Sequence, residues 1–273
     1  MSEAVGSIIT SRANRYVKLA RSLYRRAQRE KTGLYLLEGK HLLMEALAAR
    51  AEVEVVFYEP HFVRSAEHAG LISRLREAGY LCLEVEPSVM ESVAATVTPP
   101  GVLAIARQKR ASLSLLLENP EVFLLVADGV QDPGNLGTML RTAVAAGCTG
   151  AVLTGGTVDP YNEKVVRAAM GALFHLPVVT GIAAAQLALR LKGKVRVIVA
   201  HVDAVRPYYD YDYGGRVALV LGNENRGPSP EILKQAEAQV SIPLWGPVES
   251  LNVAVAAAIL LYEAARRRHM GEA

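Results

Sequence analysis

The sequence predicts an α/β protein in two parts: a smaller α/β domain, then a mostly parallel sheet with helices on both faces. Three observations predict it. Apolar, β-branched runs alternate with segments of helical period along most of the chain. In the second half the runs become continuous, as in Val122–Ala127, which suits strands of a parallel sheet buried on both faces. Between the halves the basic run Arg107-Gln-Lys-Arg110 and the turn signal Asn119-Pro120 interrupt the alternation. The expected organisation is therefore residues 1–106, a linker at 107–121 with room for a helix of its own, and residues 122–273.

In the first part Leu34–Leu37, Val53–Tyr58, Tyr80–Val85 and Val102–Ala106 read as strands. Lys40–Arg50, Ala66–Ala78 and Ser88–Ala95 read as helices between them. In the second part the strands are Val122–Ala127, Ala151–Thr154, Val195–Ala200, Val217–Leu221 and Val240–Ile242. The helices are Asn135–Gly147, closed by glycine, then Glu163–Met170, Ala183–Leu191, Pro230–Ala238 and a long final Leu251–His269.

Composition excludes several classes. Of 273 residues, 51% are hydrophobic, too many for a disordered chain. Two cysteines, Cys82 and Cys148, cannot form a disulfide scaffold and suit a cytoplasmic protein, with Cys148 reading as a small core residue. The longest clean apolar run, Val253–Tyr262, falls short of the ~20 residues that span a bilayer, and the N-terminus carries no apolar signal core. The histidines at 41, 61, 68, 175, 201 and 269 show no metal-ligand spacing with either cysteine, so no metal is expected. There is no phosphate-binding G-x-x-x-x-G-K-[ST], no G-x-G-x-x-G after a strand and no G-x-S-x-G elbow. That argues against an NTPase, a nicotinamide dehydrogenase and a serine hydrolase.

The net charge of +3 hides an uneven distribution. Ile8–Lys31 holds Arg12, Arg15, Lys18, Arg21, Arg25, Arg26, Arg29 and Lys31 against one acid, Glu30, so the remainder is net acidic. Tyr16, Ala20, Leu23, Tyr24 and Ala27 form an apolar stripe at helical spacing. One face would dock on the domain while Arg15, Lys18, Arg25 and Arg29 meet RNA phosphates. A solvated surface helix is the alternative, but such helices ordinarily mix both signs.

Ligands of open α/β sheets sit beyond the carboxyl ends of the strands. Three loops there are chemically unusual: Asp128–Arg141, Leu221–Gly227 and Ile242–Asn252. In order and spacing they resemble the three motifs of the SpoU (TrmH) family of RNA ribose 2′-O-methyltransferases, in the SPOUT class. N-x-G-x-x-x-R matches Asn135, Gly137 and Arg141. L-G-x-E-x-x-G matches Leu221, Gly222, Glu224 and Gly227. I-P then S-L-N-V-[SA]-V-A matches Ile242, Pro243, Ser250, Leu251, Asn252, Val253 and Val255. Asn225 stands where glycine is common, and Ala254 where serine is common. Asn14, Lys18, Glu38 and Gly39 resemble the start of the substrate-binding domain of the ribosomal-RNA branch, which has the α/β fold of certain ribosomal proteins.

The resemblance implies S-adenosylmethionine as methyl donor, a deep trefoil knot in the second domain, a homodimer, and a ribose 2′-hydroxyl of ribosomal RNA, 23S above all, as acceptor. It places Gly222, Ile242 and Leu251 against the donor, with Thr154, Gly155, Leu221 and Leu244 as neighbours. Glycine lets a backbone approach a ligand closely, and Gly155, Gly156, Gly222 and Gly246 offer such places. The family puts Arg141 nearest the chemical step, in its own chain or lent across the dimer interface. Arginine stays protonated, with a pKa above about 12, so a bidentate clamp on the adjacent phosphate suits it better than a base role. Asn135 can orient the hydroxyl or Arg141. Glu224 can hold Asn135, hold Arg141, or accept the proton. Ser250 and Asn252 can cap the last helix and also bond the substrate or donor. Trp245 can shield the donor or pack locally, and Tyr208–Tyr213 fits loop packing better than base stacking. Competing functions are a transfer RNA ribose methyltransferase, a resistance methyltransferase acting on ribosomal RNA, and an RNA-binding or ribosome-assembly protein without activity. The N-terminal domain favours ribosomal RNA, and the intact polar set favours an enzyme.

Overall fold

The computed structural model describes residues 8–109 and 111–270, with the side chain of Met270 left out. Arg110 of the basic run, and residues 1–7, where the export-signal reading begins, lie outside the described residues. The chain divides into two compact units. One comprises the residues up to Gln108 together with Tyr161–Phe174; the other comprises Lys109–Pro160 and the chain from His175.

The first unit opens with two helices where one basic helix is expected: α1 (Arg15–Ser22) and α2 (Arg26–Thr32). The Asn14 side chain caps α1 by accepting from the Tyr16 N–H at 2.9 Å. Helix α2 closes on Gly33 in the left-handed conformation. The break between them is held by Arg29. Its Nη1 donates to the carbonyls of Leu23 at 2.7 Å and Tyr24 at 3.0 Å, which the end of α1 leaves without helical partners. Arg29 is therefore only 3% exposed and is not on the surface that the basic pattern assigns to it. The apolar face shifts accordingly: Val17, Ala20 and Leu23 are buried, whereas Ala27 is exposed. Arg15, Lys18 and Arg25 are exposed as expected. Arg29→Ala should thus lower stability by ~1–3 kcal/mol through two orphaned carbonyls, without flattening the salt dependence of RNA binding. Charge reversal at Arg15, Lys18 and Arg25 should do the opposite. Thermal melts and binding titrations at several salt concentrations separate the two.

The unit continues through β1 (Leu34–Glu38), α3 (Lys40–Ala48), β2 (Val53–Tyr58), α4 (Ala66–Glu77), β3 (Cys82–Glu84), α5 (Pro87–Val93) and β4 (Val102–Arg107). The sheet order is β1-β4-β2-β3, with β4 antiparallel to both neighbours and β2–β3 parallel. Its core joins Val17, Leu36, Phe57, Val89, Leu103 and Ile105.

The second unit starts in the linker with α6 (Leu113–Glu118), capped by Ser112. Then come β5 (Phe123–Asp128), α7 (Pro133–Ala145) and β6 (Gly150–Thr154). Next, α8 (Glu163–Ala169) and the first residues of α9 (Ala172–His175) belong to the first unit. There α8 packs on β1, and the Tyr161 ring lies 4.9 Å from that of Tyr35. Nothing in the amphipathic pattern of 161–174 distinguishes it from a helix of the second domain, where the sequence places it.

The second unit resumes with β7 (Val178–Ile182), α10 (Ala184–Leu191), β8 (Arg196–Ala200), β9 (Val217–Gly222), α11 (Pro230–Leu233), β10 (Ala238–Val240) and α12 (Val253–Met270). Its sheet has six parallel strands in the order β10-β8-β9-β5-β6-β7. Strand β7 is absent from the sequence reading because Thr180 and Gly181 are exposed at the sheet edge and interrupt its apolar run. The expected helix Pro230–Ala238 stops at Leu233, and Ala238 already begins β10. Leu124, Val126, Val197, Val199 and Val220 form one core with residues of α6, α10 and α11. Alternate strand residues face the other way, where α7 and α12 pack on β5, β6 and β9 and on each other. The chain runs from β5 outward to β7 and then crosses to β8, beyond β9. That crossing makes a topological switch, the place where α/β sheets bind ligands.

Candidate active site

The site lies in the second unit, at the carboxyl ends of its strands. Asp128, the last residue of β5, is 5% exposed and joins three segments. Its Oδ1 accepts from the Thr154 hydroxyl at 2.7 Å; its Oδ2 accepts from both the N–H and the hydroxyl of Ser229, each at 2.7 Å. The Asn223 side chain donates to the Gly129 carbonyl at 2.8 Å and accepts from the N–H groups of Asn225 and Arg226. The loop after β9 therefore folds back tightly over Gly222. A Cβ on Gly222 would lie 2.6 Å from Pro228 Cα and closer still to Pro228 N and the Gly227 carbonyl carbon. Only glycine fits there without displacing backbone.

Three side chains from the three loops form one hydrogen-bonded chain. Asn252 Oδ1 accepts from the N–H groups of Ala254 at 2.9 Å and Val255 at 3.2 Å and so caps α12. Its Nδ2 must then donate, and it reaches Asn135 Oδ1 at 2.9 Å. Asn135 Nδ2 in turn donates to Glu224 Oε1 at 3.0 Å. The helix end thus fixes the orientation of both amides. Glu224 also accepts from the N–H groups of Gln131 at 3.2 Å and Asp132 at 3.3 Å. Burial raises the Glu224 pKa, but the Asn135 amide and the backbone N–H groups of Glu224, Gln131 and Asp132 outweigh it. The carboxyl is held below its ordinary value. Of the roles the sequence leaves open, the hydrogen bond to Asn135 matches that of holding its amide, and a carboxyl held below its ordinary value is the weaker base for it.

Beside this chain opens a cavity of about 470 Å³. Leu221, Gly222, Ile242, Leu244 and Leu251 form its apolar wall, and Glu224, Ser250 and Asn252 are among its polar groups. Its size and its few convergent polar groups suit a small organic ligand, typically held in ~300–1,000 Å³. The chemistry fits S-adenosylmethionine, which has an adenine to bury and no phosphate to cradle. Two residues expected beside the donor are not in the cavity wall. Thr154 is 2% exposed, and its hydroxyl is spent on Asp128 and the Gly129 N–H. Gly155 is exposed and stands in open space. Among the described residues, neither lines the cavity.

Arg141 is exposed and has no hydrogen-bond or ion-pair partner among the described residues. Six residues on a helix of 3.6 per turn place it on a different face of α7 from Asn135. Ser250 lines the cavity but is not the cap, since Asn252 is. Trp245 is 91% exposed, so it neither packs nor covers the cavity within this chain. Tyr211 and Tyr213 are buried and bond Glu237 and the Tyr208 carbonyl, as loop packing requires. Asp128, Asn223 and Ser229 are site residues that the sequence does not single out. A lone carboxylate ending an apolar strand was the visible signal for Asp128, whereas Ser229 looks like any helix cap.

The model of the SpoU rRNA Methylase family matches residues 122–262, which include all three loops. This chain belongs to that family. As a SpoU rRNA methylase it also carries, at residues 14–104, a match to the MRM3-like substrate binding domain. It is 36% identical to the 23S rRNA (guanosine-2′-O)-methyltransferase RlmP of Bacillus subtilis, over 93% of this chain and 97% of that one. It is 29% identical to a 23S rRNA (uridine-2′-O)-methyltransferase of Streptomyces viridochromogenes, over 96% and 93%. Among solved structures it resembles the AdoMet-bound rRNA methyltransferase of Sinorhizobium meliloti, with a TM-score of 0.82, 31% identity, and coverage of 95% and 97%. The SpoU motifs expected to converge do so at Asn135, Glu224 and Asn252. Among the described residues there is no cluster of metal ligands and no helix long and apolar enough to cross a membrane.

Proposed function

We propose that this SpoU methylase transfers a methyl group from S-adenosylmethionine to a ribose 2′-hydroxyl of 23S ribosomal RNA, as a cytoplasmic homodimer. The observation that carries this reading is the Glu224–Asn135–Asn252 chain beside a largely apolar cavity. S-adenosylmethionine, when bound there, supplies an electrophilic methyl on a sulfonium. Leu221, Gly222, Ile242, Leu244 and Leu251 would hold it. After its two fixed bonds Asn135 keeps one N–H and one lone pair, enough to orient the acceptor hydroxyl. Ser250 is exposed at the cavity and is placed to bond substrate.

Arg141 suits a phosphate clamp for its planar fork of donors, which matches a phosphate bidentately. Its outward position fits delivery to the site of a second copy. On α12, which packs on α7, Val255 and Tyr262 are exposed and Ile259 is half-buried, an apolar stripe suited to that pairing. Arg15, Lys18 and Arg25 would grip RNA; Arg29 takes no part. We place the RNA-binding function in residues 1–106 and methyl transfer, with a deep trefoil knot, in residues 122–273 apart from 161–174, which pack with the first unit.

Methyl-labelled S-adenosylmethionine, purified protein and 23S or transfer RNA test this directly. Label on the ribose of a nucleoside from 23S RNA is the expected result. Label confined to transfer RNA, or none, would refute the substrate or the activity. Arg141→Ala should lower turnover at least ~100-fold with an unchanged melting temperature, because it removes a contact made to the reacting RNA and nothing in this chain.

A further inference from the structure

We propose that His201 binds the methyl donor, with its Nε2–H donating to the α-carboxylate of S-adenosylmethionine. The proposal rests on the reading that the cavity is the S-adenosylmethionine site. His201 directly follows β8 and lines the cavity, and its backbone N–H bonds the Val240 carbonyl of β10 at 3.0 Å. The residue is thereby pinned between two strand ends. Its Nδ1 lies 3.3 Å from the Asp203 backbone N–H. A backbone N–H can only donate, so Nδ1 carries the lone pair and the proton sits on Nε2. The Asp203 carboxylate, at 4.0 Å from Nδ1, is beyond hydrogen-bonding reach. Nε2–H has no partner among the described residues, and the side chain is only 28% exposed.

The composition of the wall decides what that donor meets. Among the described residues lining the cavity, His201 is the one with a ring N–H to donate, and no lysine or arginine lines it. Glu224 is the one carboxylate, and its oxygens are already engaged. S-adenosylmethionine has a single anionic group, its α-carboxylate. A carboxylate entering a largely apolar cavity needs donors, and the Nε2–H of His201 offers one, whereas the Glu224 carboxylate repels it. The α-ammonium and the sulfonium are cations and the nucleoside part is uncharged, so none of them competes with the carboxylate for this donor.

Calorimetry with S-adenosylhomocysteine and with methylthioadenosine, which lacks the amino-acid moiety, tests this without turnover. His201→Ala should weaken S-adenosylhomocysteine about 10- to 100-fold and leave methylthioadenosine within about 2-fold, as expected for one charge-assisted hydrogen bond. His201→Gln, which keeps an N–H donor, should recover part of the loss. Equal losses for both ligands, or none for either, would overturn the assignment. If the unaltered protein bound neither ligand, the cofactor reading itself would fall, and this inference with it. Melting temperatures of both variants show that the fold is kept.

Discussion

Glu224→Gln is expected to lower the methyl-transfer rate constant by about 10- to 100-fold while leaving S-adenosylhomocysteine affinity nearly unchanged. Glutamine has the same shape, so the effect comes from hydrogen-bond polarity. The carboxylate accepts from three different groups, the N–H of Gln131, the N–H of Asp132 and the amide of Asn135. A glutamine offers one oxygen and one NH₂, and the NH₂ must face at least one of those donors. Asn135 is the partner free to rotate, but its Oδ1 is held by Asn252, itself held by the first N–H groups of α12. Asn135 and Asp132 share Oε1 and Gln131 meets Oε2, so the NH₂ turns to the Gln131 N–H, and Asn135 is held by a neutral amide oxygen on a disturbed loop instead of by a carboxylate. Losing a charge-assisted hydrogen bond of ~1.5–3 kcal/mol gives the stated range. Single-turnover rates with saturating donor are the measurement. An unchanged rate would show that the orientation of Asn135 is irrelevant to the step. pH has a matching signature: the pKa of Glu224 is depressed, so the carboxylate stays ionised until pH falls through that lowered value. Activity lost around neutrality would then belong to another group.

Gly222→Ala is expected to cost stability as well as donor binding. The new methyl would sit 2.6 Å from Pro228 Cα, with backbone atoms of Gly227 and Pro228 closer still, and backbone cannot yield as a side-chain tip can. Either β9 or the 223–228 loop must move. The loop is anchored at both ends, by Asn223 on Gly129 and by Ser229 on Asp128, so strain passes to the ends of β5 and β9. Overpacking of this kind typically costs ~1–3 kcal/mol, and here it also deforms the cavity wall at Leu221 and Glu224. The expected outcome is a lowered melting temperature together with at least ~10-fold weaker S-adenosylhomocysteine binding, the fold-change of ~1.4 kcal/mol. Full retention of both would mean that the loop relaxes freely and that Gly222 is not a steric requirement.

Much of the fold could be read before any coordinates. The parallel sheet follows from apolar runs such as Val122–Ala127, and the convergence of Asn135, Glu224 and Asn252 follows from three polar loops at the ends of such runs. What escaped has physical reasons. Arg29 belongs to a basic pattern, but its guanidinium satisfies carbonyls at a helix end that the pattern does not reveal. Strand β7 carries polar residues because it lies at an edge. Segment 161–174 is an ordinary helical stretch by sequence, and only long-range packing assigns it to the first unit. The family resemblance implies Thr154 beside the donor, yet its hydroxyl is one of the groups that steady Asp128. Asp128 itself is a reminder that a buried carboxylate organises a site through what it accepts, not through what it donates.

Together these residues are proposed to place a methyl group on one ribose of 23S ribosomal RNA. Mass-spectrometric mapping of ribose methylation in RNA from cells with and without the protein tests it most directly. The expected result is loss of 2′-O-methylation at a single 23S position, restored by the unaltered protein and not by Arg141→Ala. An unchanged 23S map, with or without a lost methyl group in transfer RNA, would contradict it.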